Sequence, residues 1–217
     1  MHHTIIAAAA AASLFAASCD TGTDPVGLDL AATGELQSAG AAYAATTQFR
    51  GMGGYLNTYV HDSCSNSGVY FEANANTTHN SGSGAPTTSD RGYVHWYDYN
   101  WCTADWSAGY AEGDVDLGGP WDRLRASGQL TGWDYHAGAV AVTVDIALDA
   151  DPDTVSSERT AYRYATPFGF SQTRTSGSSA SASASGAITV GGRALDVSTA
   201  SGTVYSATEG VLSVYHP

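Results

Sequence analysis

The sequence predicts an all-β domain, an antiparallel β-sandwich with one disulfide, and leaves an open barrel as the alternative. Glycine, serine, threonine, tyrosine and valine are abundant, glutamate is scarce and lysine is absent, a composition that favours strands and turns over helices. Short segments that alternate apolar and polar residues recur between turn-forming residues. We expect roughly eight to ten strands, a number typical of a sandwich or a barrel.

The first half of the chain contains five predicted strands. They are residues 55–61, 69–75, 92–102, 106–111 and 124–133. Residues 76–91 are rich in Ser, Thr, Asn and Gly and are predicted to form a loop. One face of the third strand is almost wholly aromatic, because successive side chains of a strand point to opposite faces. Its members are Tyr93, His95, Tyr97, Tyr99 and Trp101.

The second half begins with the clearest alternation in the chain, at residues 139–150. One face of this predicted core strand is apolar, and consists of Val140, Val142, Val144, Ile146 and Leu148. Residues 160–165 form the next predicted strand. Residues 176–186 are then small, and Ser and Ala alternate through residues 179–185, which predicts a strand of small residues, with a flexible linker as the alternative.

Two hairpins are predicted near the C-terminus. Gly191 and Gly192 can adopt the positive φ angles of a two-residue turn, which would place Ile188 opposite Leu195. The second hairpin would join residues 203–206 to residues 211–215 through a turn at residues 207–210.

The N-terminus resembles an export signal. Residues 5–17 form an apolar run that is too short to span a bilayer and suits the central region of a signal peptide. The run ends in Leu14-Phe15-Ala16-Ala17-Ser18-Cys19, which is similar to a bacterial lipoprotein signal except that Ala16 stands where that family usually has Leu. The resemblance implies that Cys19 is lipidated. Cleavage by ordinary signal peptidase, and hence a secreted protein, is the alternative.

Three segments follow from this interpretation. Residues 1–18 are the predicted signal peptide, residues 19–47 a lipid-attached flexible tether, and residues 48–217 a single β-sandwich domain. A short helix within residues 30–45 is the alternative for part of the tether. We therefore expect an extracytoplasmic protein, held at the bacterial cell envelope through a membrane-inserted lipid.

Cysteine parity supports the same interpretation. Three cysteines are an odd number for an exported protein, and lipidation of Cys19 leaves Cys64 and Cys102 as one disulfide. A metal site is the alternative for these two residues, but neither has a second cysteine or a histidine at ligand spacing.

The aromatic strand gives the one indication of a ligand. Exposed Tyr and Trp rings stack on sugar faces, so Tyr93, Tyr97, Tyr99 and Trp101 are candidate glycan-binding residues. We expect instead that these rings fill the core beside the disulfide, because a strand of a sandwich usually buries one face, and glycan binding is the alternative. The two interpretations differ in whether Tyr97, Tyr99 and Trp101 are exposed or buried.

Two acidic segments are candidates for calcium, which takes several oxygen ligands. The first consists of Asp149, Asp151, Asp153 and Glu158; the second consists of Glu112, Asp114, Asp116 and Asp122. The first is not an EF-hand, because Thr154 and Thr160 occupy the positions of the required Gly and Glu. We expect solvated turns at both segments, with calcium as the alternative, and no other cofactor is expected.

Several functional classes lack support in the sequence. A formal net charge of −13 disfavours a nucleic-acid partner. The histidines lack zinc-site spacing, no serine lies in a Gly-x-Ser-x-Gly motif, and no catalytic residue is identified. We expect a structural or interaction role with a glycan or protein partner. A carbohydrate-binding module is the alternative, and a secreted hydrolase is third.

The order of features also resembles uncharacterised exported bacterial β-proteins. The resemblance rests on Asp62-Ser63-Cys64, on Tyr97-Asp98-Tyr99-Asn100-Trp101-Cys102-Thr103, on the alternating Val strand, and on a Ser- and Ala-rich segment that runs into Ala184-Ser185-Gly186. It implies a β-sandwich scaffold and no particular site residue.

Overall fold

The structure, a computed structural model, describes residues 43–81 and 85–215. These residues form eleven strands: β1 (Tyr43–His61), β2 (Ser65–Asn80), β3 (Thr87–Asn100), β4 (Asp105–Asp114), β5 (Asp116–Gly118), β6 (Arg123–Asp134), β7 (Gly138–Ala150), β8 (Ser156–Thr166), β9 (Gly169–Val190), β10 (Arg193–Leu195) and β11 (Ser201–Tyr215). A single turn of 3-10 helix, Pro152–Thr154, is the one helical element within them. All the strands belong to one antiparallel sheet, so the predicted antiparallel all-β class is confirmed.

The strand pairings form a closed circuit. Passing from neighbour to neighbour, the order is β1, β2, β3, β4, β6, β7, β9 and β11, and β11 pairs again with β1. The other three strands lie off this circuit: β5 pairs with β6, while β8 and β10 both pair with β9.

Every strand of the circuit contributes alternate side chains to one apolar core. Its largest fully buried members are Trp96, Phe71, Leu56, Leu124, Ile146, Leu148 and Ile188. On β7, the predicted apolar face is confirmed from Val142 to Leu148. Gly109 leaves room for the indole of Trp96, since a Cβ there would lie 2.6 Å from a ring carbon.

Part of the sheet continues beyond this core. We call this part the extension; it consists of residues 43–51 of β1, 74–80 of β2, 156–166 of β8, 169–178 of β9 and 206–215 of β11. Apart from Gly169 and Val214, the residues of the extension whose burial is described are exposed or half-buried. Hydroxyl pairs cross its strands, including Ser157 with Ser178 at 2.9 Å.

Two strands extend into segments for which the sequence predicts a tether and a loop. β1 begins at Tyr43, so residues 43–45 are strand and not helix, and the ordered sheet starts before Gln48. β2 reaches Asn80 and β3 begins at Thr87, so the predicted loop at residues 76–91 is wrong over most of its length. The cause is pairing on both sides, because Thr77 of β2 is opposite both Arg50 and Thr88.

Of the two hairpins predicted in the last third of the chain, one is confirmed and the other is wrong. Gly191 and Gly192 have φ angles of 57° and 88°, and Ile188 pairs with Leu195 as predicted. The Ser- and Ala-rich segment is strand within β9. The predicted turn at residues 207–210 is instead continuous strand in β11, because it pairs with β1 on one side and β9 on the other.

The Cys64–Cys102 disulfide is confirmed. It joins the residue before β2 to the turn after β3, with the Cα atoms 5.2 Å apart. Cys19, the apolar run and most of the predicted tether lie outside the described residues, so their assignments stay predictions. No helix within the described part of the chain has the length and apolar character needed to cross a membrane.

Candidate functional site

The aromatic side of β3 points away from the core. Val94 and Trp96 are fully buried, so the alternating residues face outwards. Tyr93 is 37% exposed, Tyr99 44% and Trp101, in the turn after β3, 51%. Tyr97 is half-buried. The interpretation of these rings as core filler is therefore wrong. The reason is that Val94 and Trp96, which alternate with the rings along β3, occupy the core side of the strand.

Neighbouring strands add rings to the same outer surface. We call this surface the aromatic face; its members are Tyr55 and Tyr59 of β1, Tyr70 of β2, Tyr93, Tyr97 and Tyr99 of β3, Trp101, Trp106 and Tyr110 of β4, Trp133 of β6, and Tyr135. The sequence indicated only the β3 members and Trp101. The others were missed because they lie in segments whose outward side is set by strand register.

Many rings of the aromatic face contact one another, and two rows of such contacts lie beside the groove and near Asp134. In one row, Tyr70 lies between Tyr55 and Tyr93, with both pairs of ring centroids 6.3 Å apart. In the second row, Tyr99 stacks on Trp106 at 6.0 Å, and Trp106 stacks on the imidazole of His136 at 5.0 Å. Such contacts restrict ring rotation, so the rings present a preorganised surface.

Gly68 allows the ring of Tyr97 to lie against the sheet. The two residues are paired across β2 and β3, and a Cβ on Gly68 would lie 2.6 Å from ring atoms of Tyr97. A larger residue at position 68 would displace this ring. A glycine paired across strands with an aromatic residue thus supports the geometry of the face.

A polar groove of about 470 Å³ opens beside Tyr93. It is lined by Glu72, Asn74, Arg91, Gly92, Tyr93 and Glu112. Glu72 and Glu112 are the cross-strand neighbours of Tyr93, so a carboxylate lies on each side of the ring. The groove therefore combines an aromatic plane with carboxylate, amide and guanidinium groups.

Hydrogen bonds and burial determine the electrostatics beside the groove. The hydroxyl of Tyr70 donates to Oε2 of Glu72 at 2.7 Å, and burial together with this bond raises the pKa of Tyr70. Burial, then the neighbouring Tyr135 and Glu112, raises the pKa of Tyr93. Burial lowers the pKa of His95. Both tyrosines are therefore protonated hydrogen-bond donors at neutral pH.

The disulfide region holds Trp101 in place. The backbone amide of Trp101 donates to the Cys64 carbonyl at 2.9 Å, and its indole Nε1 donates to the Ser63 carbonyl at 2.9 Å. Asp62 accepts from the Cys64 and Ser65 amides at 2.7 and 2.6 Å, which holds the pKa of Asp62 below its usual value. The indole is therefore exposed, although its N–H and the backbone amide of Trp101 both donate hydrogen bonds.

Asp134 is a buried carboxylate that supports the second row of rings. Ser107 Oγ donates to it at 2.6 Å, and the backbone amides of His136 and Ala137 donate at 2.8 and 2.9 Å. Burial acts to raise the pKa of Asp134, but these hydrogen bonds outweigh burial and hold the pKa below its usual value. Asp134 thereby fixes the turn that positions His136.

Sequence reasoning missed Asp134. The available signal was an aspartate at the end of a strand with amides two and three residues later, an arrangement in which Asp commonly caps a turn. The same geometry recurs at Asp62, and there the cap supports the disulfide.

The predicted calcium residues have separate protein contacts. Asp149 pairs with Arg125 at 3.1 Å, and Asp151 accepts from the Asp153 amide at 3.0 Å. Glu158 lies along β8. In the second cluster, Asp114 pairs with Arg91 at 3.6 Å. Among residues 43–81 and 85–215, no three His, Cys, Asp or Glu side chains are grouped to hold a metal ion.

Comparisons with protein-family models, with curated proteins and with solved structures find no significant match.

Proposed function

We propose that the aromatic face binds a glycan chain, with the polar groove beside Tyr93 as its central subsite. The observation that carries this proposal is the outward exposure of the β3 rings and Trp101. Flat rings contact the C–H surfaces of sugars and are already held by their neighbours, so little conformational entropy is lost on binding.

The groove supplies the polar groups that sugar recognition requires. Glu72 and Glu112 can accept hydrogen bonds from sugar hydroxyls on the two sides of Tyr93, and Asn74 can both donate and accept. A small number of polar groups around an apolar plane is the usual composition of a ligand site. The two carboxylates favour a neutral glycan over an anionic one at this site.

Two other functions are outcomes of the same test. Tyr and Trp also dominate protein-protein hot spots, which would suit a structural or interaction role at the envelope. Paired carboxylates also occur in glycoside hydrolases, so release of reducing sugar would identify the third candidate, a secreted hydrolase.

The test is retardation of the purified full-length protein in gels that contain neutral polysaccharides and cell-wall glycans, with and without added calcium. Wild type should be retarded by at least one glycan. Tyr93→Ala and Tyr99→Ala should each weaken binding roughly tenfold, since each removes a central ring. Tyr162→Ala is the matched control, because Tyr162 is an exposed ring on β8 in the extension.

The result that contradicts the proposal is absence of retardation, or equal weakening by all three variants. Calcium-dependent retardation would bring the Asp149 to Asp153 segment into the site. Circular dichroism of each variant separates loss of binding from loss of fold.

We also propose that Cys19 carries a lipid that holds the domain at the bacterial cell envelope. The lipoprotein-like sequence, cysteine parity and the Cys64–Cys102 disulfide support this location. Cys19→Ala should move the protein from the membrane fraction to the soluble fraction. A Cys19→Ala protein that stays in the membrane fraction would contradict lipid attachment.

A further inference from the structure

The extension carries half of the arginines in the chain on one side. The chain has eight basic residues, all arginine, against 21 acidic ones. Four of the arginines lie on the side of the extension that is continuous with the core; we call this side the arginine face. They are Arg50, Arg159, Arg163 and Arg174.

Strand register places these arginines together. Ser176 of β9 pairs with Arg159 of β8 and with Thr208 of β11. Thr208 pairs in turn with Arg50 of β1. Paired residues share a face of the sheet, so Arg159 and Arg50 face the same way across three strand spacings, or about 14 Å.

The other two arginines lie on the same side by alternation. Arg174 is two residues before Ser176 on β9, and Arg163 is four residues after Arg159 on β8. The guanidinium of Arg163 lies 4.4 Å from the ring centroid of Phe170. With its amide oxygen turned towards Arg174, Gln172 accepts from that guanidinium at 3.1 and 3.3 Å. Both contacts preorganise a guanidinium.

Negative charge lies elsewhere in the extension. Glu158 and Glu209 point to the opposite side, because they alternate with Arg159 and Thr208 along their strands. Asp90 of β3, paired with Ala75, lies at the margin of the arginine face. Within the described residues of the extension, the acidic side chains therefore lie on the side opposite the four arginines.

We propose that the arginine face binds an anionic polysaccharide, one that bears carboxylate, sulfate or phosphate groups. Guanidinium groups pair with these oxyanions in bidentate geometry. Their spread across several strands suits repeated charges on a polymer. Gln48, Gln172 and Thr46 add hydrogen-bonding groups on the same side.

Side-chain direction favours a polysaccharide over a membrane surface. A membrane-binding face combines basic residues with exposed aromatic rings. The exposed rings of Tyr162 and Tyr164 on β8 point to the side opposite the arginines, and the ring of Phe170 on the arginine face is half-buried beside the Arg163 guanidinium. This site is separate from the aromatic face, so either can fail in a binding test without the other.

The test measures binding of the full-length protein to dextran sulfate and polygalacturonate, with neutral dextran as the polymer control. Binding should weaken as salt rises. The double variant Arg50→Gln with Arg174→Gln should lose at least about tenfold in affinity, because two charged hydrogen-bond donors are removed. The matched control, Arg123→Gln with Arg125→Gln on β6, removes the same charge and should change affinity less than about twofold.

Equal losses in the two double variants would overturn the proposal, as would binding to neither polyanion. If the protein binds anionic vesicles more tightly than zwitterionic ones and binds no polysaccharide, the face would be a membrane site. If it prefers an oligonucleotide, the face would be a nucleic-acid site. Either result would overturn the polysaccharide proposal. If the double variant unfolds, the single variant Arg50→Gln, at an exposed side chain, decides by the same criterion.

Discussion

The core-bearing part of the sheet and the extension are built from the same strands but are stabilised differently. Along β9, Ile188 and Val190 are buried in the core, whereas residues 170–178 are half-buried and mostly polar. The strands of the extension pair through their backbones and through hydroxyl ladders, as Ser176 does with Thr208 at 2.6 Å. Apolar burial stabilises the first region, and paired polar groups hold the second.

The two proposed binding surfaces lie on these two differently stabilised regions. The aromatic face lies on the outside of the core-bearing part, so its rings are fixed by a rigid sheet. The arginine face lies on a sheet with few buried residues, where both sides remain accessible to solvent. Mutations in the two regions should therefore have different consequences.

The largest expected effect is in the core. Phe71→Ala should lower the free energy of unfolding by about 3–5 kcal/mol, since a fully buried ring is replaced by a cavity. Leu212→Ala, at a half-buried position in the extension, should cost about 1 kcal/mol or less. Urea unfolding measures both. Equal costs would contradict the distinction between the regions.

Removal of the disulfide should also destabilise the core-bearing part. Cys64→Ser with Cys102→Ser should lower the free energy of unfolding by roughly 4 kcal/mol, the loop-closure entropy for residues 38 apart in sequence. Thermal unfolding of wild type with and without reductant provides the parallel measurement. An unchanged midpoint would show that the bridge contributes little.

Asp134→Asn should have an intermediate and pH-dependent effect. The folded-state pKa of Asp134 is lowered, so its stabilisation is present above the unfolded pKa of about 3.9 and is lost as pH falls through the folded value. We expect a cost of about 1–3 kcal/mol at pH 7 that shrinks below about pH 4. Urea unfolding across this range measures it, and a pH-independent cost would refute the ionic role.

A small effect, comparable with that of Leu212→Ala, is expected in the hydroxyl ladder of the extension. Ser176→Ala removes one hydrogen bond, to Thr208, and should cost about 1 kcal/mol. Hydrogen exchange should report faster amide exchange around residues 174–178 with little change in the core. A global rise in exchange would mean that the extension and the core unfold as one unit.

The sequence predicted strands best where alternation and turn chemistry agree. Residues 139–150 and the Gly191-Gly192 hairpin were predicted correctly, because each carries its own local signal. Residues 207–210 have a turn-like composition and yet are strand, since partners on both sides satisfy their backbone groups. This pairing joins strands that are far apart in sequence, so the local sequence pattern of residues 207–210 does not reveal it.

The candidate site was predictable in part for the same reason. Alternation separated Tyr93 and Tyr99 from Val94 and Trp96, but did not identify which set faces the core. Tyr70 and Trp133 join the face only through the register of β2 and β6. The arginine face was missed because its members are far apart in sequence, and only the pairing of β8, β9, β11 and β1 brings them to one side.

Hydrogen-exchange mass spectrometry with a bound neutral polysaccharide tests the central claim most directly. The proposal predicts slower exchange at residues 93–107, which carry five of the eleven rings of the aromatic face, including Tyr93 in the groove, and unchanged exchange at residues 156–178 of the extension. Protection of the extension alone, or binding without protection of residues 93–107, would contradict assignment of glycan binding to the aromatic face.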